Sequence, residues 1–174
     1  MVVMLAGGAA KADQKDPVLD ALFAALTATE NAEEAQAIER RIWQTWTITG
    51  QELVDNAMAR GVIALNKGAF ETAVKYFNDV ISLSPEHAEA WNKRATAYYM
   101  MGRYPDAVLD IQRTLELEPR HFGALSGLGL IYADMGRDKD AIRVMEKALA
   151  INPHMDTIRS QVEELQAKVS GKPI

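Results

Sequence analysis

Three histidines are the side chains of this sequence best suited to hold a metal ion. His87 and His121 lie 34 residues apart, and His154 falls one residue short of the next such interval. If this interval is a stacked helical unit, equivalent residues of neighbouring units are separated by about 8–10 Å or more. Zinc–nitrogen bonds are only ~2.0–2.1 Å long, so one ion cannot readily join the rings. The sequence therefore predicts no metal site and favours turn residues at the ends of successive units.

Known catalytic motifs are absent from the sequence. It contains no G-x-S-x-G, no P-loop, no H-E-x-x-H and no dinucleotide-binding glycine pattern. It also contains no cysteine, which excludes disulfides, thiolate metal sites and a cysteine nucleophile. We therefore expect no enzymatic activity, no catalytic residue and no cofactor.

Two arginines share one repeated position of the sequence with a leucine. Arg60 and Arg94 are one 34-residue interval apart, and the next equivalent position holds Leu128. A guanidinium there must pair with a carboxylate or extend its charged end to water. One interpretation is an internal ion pair with Asp79 or Asp110. The other is a fork that contacts a ligand carboxylate.

The same interval of 34 residues organises most of the chain. It separates three kinds of residue, namely Pro85, Pro119 and Pro153; Gly68, Gly102 and Gly136; and Ala73, Ala107 and Ala141. Three independent markers with one period indicate a helix-turn-helix unit stacked three times. The glycines fit left-handed C-terminal caps of the first helices, and the prolines end the second helices.

These units resemble tetratricopeptide repeats. The middle unit matches the family pattern best, through Trp91, Tyr98, Gly102, Tyr104, Ala107, Leu115, Leu117 and Pro119. The resemblance implies an all-α fold, a right-handed α-solenoid of three helix pairs over residues 54–87, 88–121 and 122–155. It also implies protein binding, but the family binds many unrelated ligands, so the resemblance does not identify a partner.

Helical segments flank the three units. Residues 13–53 contain two predicted helices, Pro17–Thr29 and Ala32–Thr47, and residues 156–174 contain a capping helix and a tail. We expect the N-terminal pair to form a hairpin that packs on the open end of the first unit as a fourth, degenerate layer.

Two tryptophans of the second predicted helix, Trp43 and Trp46, lie on one face of it. We expect them to pack on the first unit and give the hairpin its docking area. The alternative is an exposed aromatic anchor for another chain, because aromatic residues often dominate interfaces.

The resemblance assigns the binding surface to the first helix of each unit. It places these residues on the concave face: Asp55, Met58, Ala59, Val62, Leu65 and Asn66; Glu89, Asn92, Lys93, Thr96, Tyr99 and Met100; Gly123, Ser126, Gly127, Leu130, Ala133 and Asp134. We take as peptide-binding residues Met58, Val62, Leu65, Asn92, Lys93, Thr96, Tyr99, Ser126 and Leu130. The exposed apolar groups expected among them favour a binding groove over a merely solvated face. Their alternation with polar groups suits an extended or helical peptide.

Two features of this surface refine the prediction. Some family members bind the C-terminal carboxylate of heat-shock chaperones through a lysine and an asparagine in their first unit. In this chain those positions hold Met58 and Val62. Asn92 and Lys93 match the pattern only in part, and in the second unit, so the sequence disfavours a receptor for chaperone C-terminal tails. Gly127 has no packing role in the family pattern, so it either opens the groove floor to a ligand backbone or loosens its helix.

The N-terminal residues 1–12 resemble the end of an export signal. Met1–Ala10 is apolar, and Ala10-Lys11-Ala12 has the small-x-small pattern of a signal-peptidase site. No basic residue precedes Lys11, which is consistent with a translation start upstream of Met1. We expect a periplasmic protein cut before Asp13. The alternative is a disordered apolar N-terminus on a cytoplasmic protein.

The charge of the chain narrows the class of partner. Its formal net charge is −5, without a basic stripe or a basic amphipathic helix. This composition argues against nucleic-acid binding and against stable membrane insertion. We expect a protein or peptide partner, and a role as adaptor or holding factor in the cell envelope. Alternatives are a cytosolic chaperone for secreted substrates, or a homo-oligomer that forms a self-assembling scaffold.

Overall fold

Helices account for most of the chain that the structure describes. The computed structural model describes Gln14 and residues 16–171. Within them the chain forms nine helices and no strand. In order they are α1 (Val18–Ala28), α2 (Ala32–Thr47), α3 (Glu52–Asn66), α4 (Phe70–Leu83), α5 (Ala88–Met100), α6 (Tyr104–Leu117), α7 (Phe122–Asp134), α8 (Asp138–Ile151) and α9 (Asp156–Ser170). This order confirms the predicted all-α class. The expected export signal of residues 1–12 lies outside the described residues.

Each repeat turns at a glycine with a left-handed backbone. The φ angles of Gly68, Gly102 and Gly136 are 73°, 71° and 72°, in a region that residues with a Cβ atom enter only at a steric cost. In the first repeat, the Ala69 N–H then donates to the Ala64 carbonyl at 2.9 Å, which satisfies an acceptor at the end of α3. The predicted C-terminal caps are confirmed.

The two helices of a repeat approach each other most closely at small residues of the first helix. A Cβ atom built on Gly61 would lie only 2.5 Å from Cε1 of Phe77, a ring that is fully buried. Gly129 holds the same place in the third repeat, where a Cβ atom would collide with Met145. In the second repeat this place is the buried Ala95. The absence of a larger side chain lets the apolar face of the second helix pack without a gap.

The N-terminal hairpin packs on the second and third repeats and not on the open end of the first. Its buried side chains share one core with residues of α5 to α8, and this core includes Leu19, Leu22, Leu26, Ile38, Ile42, Trp46, Ile111, Phe122, Leu125 and Ile131. The first repeat has a separate core around Val54, Met58 and Phe77. The predicted fourth layer is therefore wrong, because an apolar stripe fixes which face of a helix is buried but not the surface it is buried against.

Two of the histidines hold the ends of the hairpin helices. Nε2 of His87 lies 3.2 Å from the Thr47 carbonyl at the end of α2, and Nε2 of His154 lies 3.0 Å from the Leu26 carbonyl near the end of α1. A carbonyl oxygen can only accept, so each imidazole is the donor. These rings satisfy carbonyl groups that have no partner within their own helices.

The opposite end of the stack is closed by α9. Ile158 and Val162 are buried beside Met145 of α8, while the outer face of α9 is exposed. This arrangement agrees with the predicted capping helix. Among the described residues, no helix is both long and apolar enough to cross a membrane.

The two glycines Gly61 and Gly127 give opposite expectations for the same substitution. Gly61→Ala should lower the melting temperature, because the new methyl overpacks against Phe77 at a cost of about 1–3 kcal/mol. Gly127→Ala should leave the melting temperature equal or higher, since its Cβ atom would meet only Ile111 at 3.8 Å and alanine favours a helix by roughly 0.5–1 kcal/mol. Thermal unfolding followed by circular dichroism measures both. Equal melting temperatures for the two variants would contradict the close approach at Gly61.

Candidate functional site

The first helices of the second and third repeats enclose a cavity of about 240 Å³, here called the central cavity. The residues that line it are Asn92, Ala95, Thr96, Tyr99, Met100, Ile111, Gly123, Ser126, Gly127, Leu130 and Ile131. Five of the predicted peptide-binding residues are among them. Thr96 is exposed, Tyr99 and Leu130 are half-buried, and Asn92 and Ser126 are largely buried. Gly127 leaves the floor of the cavity open, because its missing Cβ atom would have only one neighbour, at 3.8 Å.

A second cavity adjoins the first. It has a volume of about 270 Å³ and is here called the terminal cavity; its lining residues are Leu130, Ala133, Asp134, Met145, Gln161, Glu164, Leu165 and Lys168. Leu130 lines both cavities, so the two are neighbours, and together they are here called the groove, which extends from α5 past α7 to α9. The sequence prediction missed the α9 side of this groove. A signal was present, since Glu164 continues the 34-residue series of Val62, Thr96 and Leu130.

The predicted residues of the first repeat do not belong to this groove. Met58 was expected to be exposed, but it is only 1% exposed and packs in the core of the first repeat. Val62 and Leu65 are half-buried against the same core. Met58 and Val62 line a separate cavity of about 400 Å³, which Ile48 also borders. The expected exposure of Met58 is therefore wrong, and peptide contacts of Val62 and Leu65 stay predictions.

The hairpin covers the N-terminal ends of the first helices in the second and third repeats. The Trp46 ring stacks on His121 at 4.2 Å with an interplanar angle of 11°, and Trp43 meets Phe122 edge-on at 5.2 Å. Gly123 makes room for this contact, because a Cβ atom there would lie 2.6 Å from Cη2 of Trp43. The expectation that the tryptophans pack on the first repeat is therefore wrong. Trp46 is fully buried, so it is not an exposed anchor either.

A buried carboxylate lies beneath the tryptophans. Glu89 is 0% exposed, and its Oε2 accepts hydrogen bonds from Asn92 at 2.8 Å and from Nε2 of His121 at 3.0 Å. The Lys93 ammonium lies 3.1 Å from Oε1. Burial by itself would raise the pKa of Glu89, but Lys93 and the His121 hydrogen bond outweigh it and lower the pKa to about 2. Asn92 and Lys93, predicted as peptide contacts, are therefore already bound to a carboxylate of the same chain.

His121 is a donor to this carboxylate because of its role as a helix cap. Its Nδ1 accepts the Ala124 N–H at 3.1 Å at the start of α7, so the ring hydrogen lies on Nε2. His87 caps α5 in the same way, through Ala90. The regular spacing of the histidines thus reflects a repeated capping position. The pairing of His121 with Glu89 was not predicted from the sequence.

The two arginines differ from each other. Arg94 donates to both carboxylate oxygens of Asp110 at 2.7 Å and to Asn78 at 2.6 Å. This is the internal ion pair, so the fork of Arg94 is not free for a ligand carboxylate. Arg60 is exposed on α3, and a carboxylate contact there stays a prediction.

Tyr99 connects the two cavities through a hydrogen bond. Its hydroxyl donates to Asp134 Oδ2 at 2.9 Å, and the Tyr104 hydroxyl donates to the same oxygen at 3.2 Å. Burial and the bond to Asp134 raise the pKa of Tyr99 to about 12, which is the direction expected for a hydroxyl that donates to a carboxylate. Asp134 is thereby held at the edge of the terminal cavity.

Comparison with known proteins agrees with this architecture. A family model for the tetratricopeptide repeat matches residues 58–113 and 92–156, which together span more than half of the chain. A TPR repeat-containing protein of Rhizobium etli is 34% identical over 94 residues, which cover 54% of this chain and 46% of that protein. The chain spans about half the length of the first curated relatives that it matches.

Solved structures share the fold at low sequence identity. The TPR domain of Arabidopsis OM64 aligns with a TM-score of 0.65 and 20% identity, over 67% of this chain and 97% of that domain. The TPR2B domain of yeast Sti1, solved as a complex with pHsp70, aligns with a TM-score of 0.61 and 20% identity, over 70% and 98%. At these identities the likeness shows the fold alone.

The buried carboxylate gives the stability of the protein a defined pH dependence. Glu89 has a folded-state pKa of about 2 against an ordinary value of 4.5, so its contribution is complete above pH 4.5 and is lost as the pH falls toward 2. Burial also lowers the pKa of His87 below 6.5, which removes stability as the pH falls below that value. Glu89→Gln should melt lower than the wild type at pH 7 and show a shallower decline between pH 4.5 and 2. Melting curves across this range test it, with the exposed Glu163→Gln as control; a slope equal to that of the wild type would contradict the assignment.

The close contact at Gly123 predicts a selective effect on the hairpin. Gly123→Ala places a methyl against Trp43 and should loosen α1 and α2 while α3 and α4 stay folded. Hydrogen exchange read by mass spectrometry should then be at least about tenfold faster in the hairpin than in the wild type. Gly127→Ala, one turn further along α7, is the matched control and should leave exchange unchanged. Unaltered exchange in α1 and α2 of Gly123→Ala would show that the hairpin does not depend on this contact.

Proposed function

The chain belongs to the tetratricopeptide repeat family, and we propose that it binds a segment of a partner protein in the groove formed by the central and terminal cavities. The repeats are a protein-interaction fold, so the class of function follows from the family. The groove as the binding surface is our inference. We assign no catalytic residue and no cofactor to it.

The shape of the central cavity is the observation that supports the proposal. Its floor at Gly127 carries no side chain, which lets a ligand backbone approach α7 closely. Apolar groups of Leu130 and Ile131 lie beside the hydroxyls of Thr96 and Ser126. Such alternation suits a peptide that places one side chain in the cavity and leaves its backbone to polar contacts.

The position of the hairpin limits which part of the first helices is available. Lys93 lies 5.4 Å from the centre of the Trp43 ring and is paired with Glu89. A partner therefore meets the C-terminal halves of α5 and α7, around Thr96, Tyr99 and Leu130. The amide and ammonium of Asn92 and Lys93 are not free to clamp a terminal carboxylate, which adds to the case against a chaperone-tail receptor.

We propose further that the protein works as an adaptor or holding factor in the cell envelope. This role rests on the signal-like sequence of residues 1–12. A cytosolic chaperone for secreted substrates would use the same groove and would retain those residues. If the protein is a self-assembling scaffold, its binding partner is a second copy of the same chain.

Site-directed photo-cross-linking in cells tests the proposal. A photoreactive amino acid replaces the exposed Thr96 in the groove or, as control, the exposed Lys147 on α8. We expect a discrete protein adduct from position 96, none from position 147, and a mature N-terminus at Asp13 by mass spectrometry. Equal adducts from both positions would contradict groove binding. An intact N-terminus with adducts to cytosolic proteins would contradict the envelope role and favour a chaperone for secreted substrates. Adducts between two copies of the chain would favour the scaffold.

A further inference from the structure

The terminal cavity has the chemistry of a site for a long basic side chain. One wall is apolar, formed by Leu130, Ala133, Met145 and Leu165. The methylene stem of an arginine or lysine packs on such a wall while its charged end reaches polar groups at the rim. The cavity volume of about 270 Å³ leaves space for one such side chain.

Three polar side chains that line this cavity supply oxygen acceptors. Asp134 accepts two tyrosine hydroxyls on Oδ2, and from the described residues Oδ1 receives no hydrogen bond. Glu164 is an exposed carboxylate at the same rim. Oε1 of Gln161 is buried and has no hydrogen-bond partner in the described part of the chain. A buried acceptor without a donor is costly, so a donor from a ligand would stabilise it.

The charges around the terminal cavity also favour a basic side chain as its ligand. Lys168 is the cation among its lining residues, and its ammonium is already bound to Asp138, at 2.8 Å from Oδ2 and 3.0 Å from Oδ1. Neither Asp134 nor Glu164 forms an ion pair with a cation between residues 16 and 171. Two exposed carboxylates therefore stand at the rim of an apolar cavity without a cationic partner from the described residues, which favours a cationic ligand group.

We propose that the terminal cavity binds an arginine side chain of the partner segment. Arginine fits better than lysine, because its planar guanidinium carries five N–H donors in a fixed fork that can reach several acceptors at once. The three acceptors Asp134, Gln161 and Glu164 come from two different helices, so a fork can bridge them. This inference rests on the proposed groove function and names the chemistry of its ligand.

The arginine belongs to a protein segment and is not a free small molecule. The terminal cavity joins the central cavity at Leu130, so a backbone lying over Gly127 carries a neighbouring side chain into the terminal cavity. A segment with an apolar residue in the central cavity and an arginine a few positions away occupies both sites at once.

A selection from a phage-displayed library of random 12-residue peptides tests the inference. The wild-type protein should enrich peptides with an arginine close to an apolar residue. A double variant, Asp134→Asn with Glu164→Gln, should lose this enrichment and bind the selected peptides at least about tenfold more weakly. The matched control, Asp79→Asn with Glu163→Gln, removes the same charge from exposed positions away from the groove and should bind like the wild type. Melting temperatures of both double variants should match the wild type.

A second measurement separates charge from shape and identifies the source of the guanidinium. The best synthetic peptide is compared with the same peptide carrying citrulline, a neutral isostere of arginine, and with N-acetylarginine methylamide alone. We expect the citrulline peptide to bind at least about tenfold more weakly, and the affinity of the arginine peptide to fall with added salt. The free arginine derivative should bind far more weakly than the peptide.

The outcomes distinguish the inference from the function on which it rests. Peptides that bind the groove with no basic residue, or a citrulline peptide of equal affinity, would overturn the arginine site and leave groove binding intact. A free arginine derivative as tight as the peptide would overturn the protein source. If no selected peptide reduces cross-linking from position 96, the result would contradict both the arginine site and groove binding.

Discussion

The hydrogen bond between Glu89 and His121 lies where the second repeat, the third repeat and the N-terminal hairpin meet. This junction determines which part of the first helices remains open to a partner. It links the first turn of α5 to the turn before α7, and Trp46 of the hairpin stacks on the same imidazole. A carboxylate with no solvent exposure is costly unless a counter-charge and hydrogen bonds compensate it. Asn92 and His121 donate to Oε2 of Glu89, and the Lys93 ammonium is the counter-charge beside Oε1. Because these polar side chains are bound to Glu89, the N-terminal ends of α5 and α7 can be covered by the hairpin.

This constraint explains where the groove is open. The tryptophans of α2 cover the N-terminal ends of α5 and α7, and Gly123 is the small residue that admits them. The C-terminal halves of the same helices stay uncovered, and α9 extends the row beyond the third repeat. The open part of the groove thus lies closer to α9 than three equivalent repeats would place it. The ligand chemistry that we propose differs accordingly, since a cavity rich in acceptors suits a cation and a cationic clamp suits a carboxylate.

The three histidines show how one repeated position serves different purposes. His87 and His121 both cap the first helices through Nδ1, which is a local requirement of each repeat. Their second nitrogens are free to differ, and so His87 bonds a carbonyl of α2 while His121 bonds Glu89. His154 bonds α1. A period in the sequence therefore reports the shared local role and says nothing about the tertiary partner.

The sequence by itself determined the helices, their turns and the stacking of the repeats, because each of these depends on residues close together in the chain. Gly68, Gly102 and Gly136 specify left-handed turns, and Asn31 caps α2 by accepting from Glu33 and Glu34, whatever else is nearby. Only the tertiary structure decided the seat of the hairpin, the burial of Met58 and the pairing of Glu89 with His121. Hydrophobic burial has no direction, so the stripe on α2 fits any apolar surface of suitable shape. The choice among such surfaces depends on packing between residues distant in the chain, such as Trp43 against Gly123, and that fit exists only once the repeats have assembled.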